Sequence, residues 1–115
     1  MTYDELGAAI VAWAWARPDI RAVLAIGSRA RRAHPADEWS DLDLLLLTTD
    51  SRAYNNDAWL SALGVVWVAL VEEANPGDPD VQAIFAGGIK GDFTFVTIEN
   101  ADRPLDALLA GLSYQ

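Results

Sequence analysis

Asp41 and Asp43 stand two residues apart at the head of a leucine-rich run that ends at Thr48. In an extended strand, period two puts both carboxylates on one face and sends Leu42, Leu44 and Leu46 to the other. Two carboxylates held that close repel each other, and burying them is costly unless a cation sits between them. Magnesium suits the task, because it takes oxygen ligands and brings phosphate and water oxygens of its own. An Asp-x-Asp pair alone is more often two solvated aspartates, so the neighbouring residues decide. Upstream, Gly27-Ser28 interrupts an apolar run, where glycine lets backbone amides approach an anion and a helix start adds a favourable dipole. Ser28 can donate its hydroxyl to phosphate. Arg29, Arg31 and Arg32 then form the densest basic cluster of the chain, and guanidinium groups match phosphate oxygens. Downstream, Asp92 follows Lys90 at the expected opening of a later strand and offers a third carboxylate, for a second ion or an attacking hydroxyl. Together these residues are equipped to hold a magnesium–triphosphate.

The elements that must position them follow from pattern. Thr2 and Glu5 form a capping box, so a helix is expected from Thr2 to about Arg17, stopping before Pro18. Its apolar residues run nearly all round, which calls for burial or a partner. Arg21–Ile26, Asp41–Thr48 and Val65–Val71 read as apolar strands, with a short helical turn at Ser28–Arg32. A helix is expected over Asn56–Leu63, ended by Gly64. Asn75–Asp80, with two prolines and a glycine, reads as a loop, and Glu72, Glu73, Asp78 and Asp80 read equally as a group that attracts a polycation or as a solvated acidic loop. Val81–Phe85 and Asp92–Ile98 read as a hairpin around Gly87-Gly88, and Leu105–Leu112 as a closing helix. The order α-β-α-β-α-β-β-β-α gives an α/β or α+β fold, a mixed β-sheet with flanking helices.

The 115 residues suit one domain, and 52% of them are apolar, enough for a core. With no cysteine, disulfides and thiolate metal sites are excluded. A net charge of −9, from 17 acidic and 8 basic residues, argues against nucleic acid and favours cationic partners and metal ions. The polar, acidic start is unlike a signal peptide, and no apolar run is long enough for a membrane span, so a cytoplasmic protein is expected. Weaker signals fall away. His34 has no second histidine, no Gly-x-Ser-x-Gly elbow accompanies Ser28, and Gly87-Gly88 before Lys90 is a turn rather than a P-loop. Trp13, Trp15, Trp59 and Trp67 lie in apolar segments and are expected in a core or an interface.

Gly27-Ser28, twelve residues, then Asp41-Leu42-Asp43 resembles the signature of the nucleotidyltransferase superfamily. The longer string of Ile20-Arg21, Gly27-Ser28-Arg29, Pro35, the Asp41 pair, Thr49-Asp50, Trp59-Leu60, Gly64 and Lys90-x-Asp92-x-Thr94 is similar to the aminoglycoside 6-adenylyltransferases, which modify streptomycin. That likeness runs from about Asp4 to Ile98. It implies a nucleotidyltransferase fold over residues 1–115, with Gly27, Ser28 and Arg29 at the nucleotide phosphates. It further implies Asp41, Asp43 and Asp92 as metal-binding and catalytic carboxylates, Mg2+ with room for two ions, and ATP as nucleotide donor. Lys90 matches a family lysine whose role lies between phosphate contact and structure. Enzymes of this kind continue into a helical domain that forms much of the acceptor site, and none is expected within these residues. The acceptor is then a hydroxyl, on a cationic aminoglycoside by the family likeness. Gly27-Ser28-Arg29-Ala30-Arg31 also looks like small antitoxin-type nucleotidyltransferases, which act on or bind a helical protein; a non-catalytic relic is the third reading. The all-round apolar first helix, with Leu6, Ile10 and Trp13 on one stripe and Ala8, Val11 and Trp15 on another, points to a homodimer or a helical protein partner.

Overall fold

The computed structural model describes residues 1–26, 41–75 and 77–100. The chain opens with helix α1 (Tyr3–Trp15). Thr2 caps it as its sequence demands: the Thr2 hydroxyl accepts from the Glu5 amide at 3.1 Å, and the Glu5 carboxylate accepts from the Thr2 amide at 2.9 Å. Asp4 and Glu5 in the first turn complement the positive end of the helix dipole. One stripe, Leu6, Ile10, Trp13 and Ala14, is buried against the sheet. The other stripe is uncovered, with Val11 57% and Trp15 91% exposed.

Five strands follow, β1 (Ile20–Ile26), β2 (Leu42–Thr48), β3 (Val66–Asn75), β4 (Asp78–Phe85) and β5 (Ile89–Thr97). They form one mixed sheet in the order β1-β2-β5-β4-β3. The β2–β5 pair is parallel and every other pair is antiparallel. Leu44 and Leu46 of β2, Val81, Ala83 and Phe85 of β4, and Phe93 and Phe95 of β5 share the core under α1. Aromatic rings build much of that core: Trp13 stacks on Trp59 at 4.8 Å between ring centres, and Tyr54 stacks on Phe95 at 4.5 Å. Below α1, Asp19 accepts from the Thr48 hydroxyl at 2.9 Å and from the Tyr54 hydroxyl, which ties the start of β1 to the end of β2.

Three expectations need correction. Asn56–Leu63 is not an α-helix; short 3-10 turns span Ser51–Tyr54 and Ala58–Ala62. Asn56 supplies the reason. Its side chain accepts from the Ala58 amide at 3.0 Å and donates to the Ala53 carbonyl at 3.1 Å, and its own carbonyl accepts from the Trp59 indole at 2.9 Å. Such local bonds compete with a regular helical ladder. Nor is Asn75–Asp80 a loop. β3 runs to Asn75, which pairs with Asp78, and Gly77 turns the chain with a φ of 83°, open to glycine at little cost. Asp78 is buried rather than solvated, accepting from the Ser51 hydroxyl at 2.7 Å and the Thr97 amide at 3.3 Å. Finally, β5 begins at Ile89, so Asp92 lies inside the strand and does not open it. The turns expected at Ser28–Arg32 and Leu105–Leu112 lie outside the described residues.

Candidate active site

The face of the sheet opposite α1 carries the candidate chemistry. Leu44 and Leu46 point into the core, so alternation turns Asp43 outward. Across the parallel junction Asp43 pairs with Asp92, and across the next junction Asp92 pairs with Gln82. Directly paired residues of neighbouring strands share a face, with strands about 4.8 Å apart. The two aspartates therefore stand side by side. Asp41, one residue before β2, is exposed, and its charge reaches both. Lys90, two residues before Asp92, stands by alternation on the same face and is half-buried, and its backbone amide donates to the Tyr3 hydroxyl at 3.3 Å. Next to the acidic row, Leu45 and Val96 form a small buried apolar cluster with Leu24 and Leu47.

Asp80 joins this row, although sequence reasoning left it in an acidic loop. It pairs with Thr94, which places it diagonally beside Asp92. It accepts from the Thr94 hydroxyl at 3.4 Å, and its carboxyl group bears on that of Asp92. The signal was present in the alternation of Val81, Ala83 and Phe85, which sends Asp80 and Gln82 to the other face. Pro76 and Pro79 obscured it by reading as loop residues.

The electrostatics follow from this crowding. Burial is the largest influence on Asp92, followed by its hydrogen bond with Asp80 and the charges of Asp80, Asp43 and Asp41; together they push its proton affinity up to about 8. Because the bond joins two carboxyl groups, that affinity belongs to the pair. Asp43 is also raised, first by burial and then by Asp41 and Asp80. One oxygen of Asp92, Oδ1, is buried without a hydrogen-bond partner among the described residues.

Among the described residues no three histidine, cysteine or acidic side chains are gathered into a ready cage for a metal ion. Magnesium does not need one, since it is commonly held by one or two carboxylates and completes its shell with phosphate and water oxygens. All the ligand groups here are carboxylates, two of them side by side across a strand pair, and one oxygen lacks a partner among the described residues. That set fits a hard divalent cation. Gly27, Ser28 and Arg29 lie outside the described residues, but β1 ends at Ile26, the residue paired with Asp43.

Two comparisons with known proteins bear on this arrangement. The family model described as streptomycin adenylyltransferase matches residues 1–110. An aminoglycoside 6-adenyltransferase from Bacillus subtilis, known from its crystal structure, superposes with a TM-score of 0.71 at 19% identity. The superposition covers 94% of this chain and 40% of that one, so this chain spans less than half of its structural neighbour. No curated protein matches the chain.

Proposed function

Because the chain belongs to the streptomycin adenylyltransferase family, we propose that its acidic row binds magnesium and ATP and transfers an adenylyl group to a hydroxyl of a cationic aminoglycoside. The observation that carries this reading is the direct pairing of Asp43 with Asp92 on the face opposite α1, with an oxygen of Asp92 that has no partner among the described residues. Asp41, Asp43 and Asp92 would hold the magnesium, Asp41 from the exposed position just before β2. Bound there, magnesium would neutralise phosphate oxygens and the departing pyrophosphate. Gly27, Ser28 and Arg29 are assigned to the triphosphate, and Lys90 supplies a cation near the same row. The acceptor oxygen forms a bond to the α-phosphorus, the bond to pyrophosphate breaks in line, and the hydroxyl proton passes to solvent water. The residues' share of the catalysis is positioning and charge placement. The net charge of −9 favours a polycationic acceptor.

The test is a thermal-shift titration with magnesium-ATP. Wild type should be stabilised, whereas Asp41→Asn and Asp43→Asn should lose the magnesium-dependent part of the shift while staying folded. Equal shifts in all three proteins would end the metal-site assignment. A second reading draws on the uncovered helix stripe. Val11 and Trp15 leave α1 with an apolar face, and this reading has the domain work with a second subunit, either another copy or a helical protein.

A further inference from the structure

We infer that the outer edge of β3 is a docking surface for a second copy of this chain, which pairs with it antiparallel about Ala69. Neither the magnesium-nucleotide reading nor the α1 stripe enters into it. β3 ends the strand order, so among the described residues no strand lies on its outer side. Such an edge presents a row of unpaired amides and carbonyls, and proteins commonly guard it with lysine, proline or a short strand. β3 is 10 residues long, Val66–Asn75, and holds neither lysine nor proline. Instead Val65, Trp67, Val68 and Leu70 are each exposed by half or more. Val68 pairs with Ile84 and Leu70 with Gln82, which places both on the face opposite α1. Glu72 and Glu73 follow this apolar stretch and decide how a copy can lie. A parallel copy in register would set each glutamate against itself, which is unfavourable. An antiparallel copy centred on Ala69 sets Val68 against Leu70 twice on one face, and puts Glu72 and Glu73 beside Val66 and Val65. Centring on Leu70 would put Val68 against Glu72, and centring on Val68 would put Leu70 against Val66, whose side chain belongs to the core. The strand therefore complements itself in one register, as a two-fold interface requires. The joined sheets would carry both acidic rows on the same face. Asp92 and its copy would lie five strand spacings apart, about 24 Å at about 4.8 Å each.

The test uses the full chain at about 0.15 M salt, where repulsion from the net charge of −9 is largely screened beyond about 8 Å. In sedimentation velocity, wild type should form a dimer at micromolar concentration. Val68→Lys with Leu70→Lys sets lysine against lysine twice and should leave only monomer. Val68→Lys with Leu70→Glu sets opposite charges across the same positions and should keep the dimer. A wild type that is monomeric at every concentration overturns the inference, and any partner is then a different protein. A dimer that survives the two lysines also overturns it, because the contact then lies on α1 or another surface. Loss of the dimer in both double variants overturns it as well, because the register is then wrong. Should either variant fail to fold by circular dichroism, cross-linking decides. The chain has no cysteine, so Ala69→Cys puts a single thiol at the two-fold centre, within disulfide reach of its copy. Val65→Cys holds its thiol far outside that reach. A disulfide-linked dimer from Ala69→Cys and none from Val65→Cys supports the pairing, and any other pattern refutes it.

Discussion

Asp92 holds a proton far above the ordinary carboxylate range because burial, the bond to Asp80 and the nearby charges of Asp80, Asp43 and Asp41 all disfavour its ionised form. In the unfolded chain the same group gives up its proton near 4 or so. Between that range and about 8 the folded state therefore binds more protons than the unfolded state, and stability falls as pH rises. Asp43 is shifted in the same direction and adds to the slope. Asp92→Asn removes the titrating group and keeps the shape. Without metal, its melting temperature should exceed that of wild type at pH 8, and the gap should close toward pH 4, where both proteins are neutral at this position. A gap of equal size at both pH values would show that Asp92 is not under this strain.

At the scale of elements, Gly91 shows how the core and the site constrain one strand from opposite sides. It separates Lys90 from Asp92 and is buried on the core face. A Cβ there would meet the Phe93 ring at 2.7 and 2.8 Å and Leu6 at 3.4 Å. Phe93 is fully buried and cannot swing into open space. Gly91→Ala should thus destabilise the domain by about 1–3 kcal/mol, read from urea unfolding; a neutral result would mean that the ring has room to move. Much of the sheet was legible in the sequence. The capping box placed α1, and leucine alternation placed the face of Asp43. The unread parts share a cause, since residues with strong local preferences were overruled or exploited by tertiary context. Asn56 used its side chain to replace a helix with 3-10 turns. Pro76 and Pro79 suggested a loop where a glycine turn lets two strands pair nearly to their ends. That second misreading hid Asp80, because a residue in a loop has no assigned face. The part assigned to Gly27 and Ser28 rests on the family signature.

For the whole molecule, the informative surface is the uncovered side of α1. Trp15 is 91% and Val11 57% exposed, while Trp13 and Trp59 lie in the aromatic core. An aromatic side chain so fully in water gives up a large burial gain unless another surface covers it. Under the second-subunit reading, the purified chain should associate with rising micromolar concentration in light scattering, and Trp15→Ser should shift it toward monomer. A monomer at all concentrations would exclude self-association and leave a different protein as the candidate partner.

The parallel junction between β2 and β5 has a consequence for the order in which the site comes together. β3, β4 and β5 follow one another through glycine turns and can pair locally, whereas Asp43 meets Asp92 only after that whole meander has been spanned. Among the neighbouring pairs of this sheet, loop-closure entropy weighs most on this one. The same junction joins the first two strands to the last three. A local opening that released β2 would leave β3, β4 and β5 paired and Asp80 beside Asp92, yet would carry Asp41 and Asp43 away together. Such an opening would divide the row along its middle, and nucleotide binding would then report on the pairing of β2 with β5.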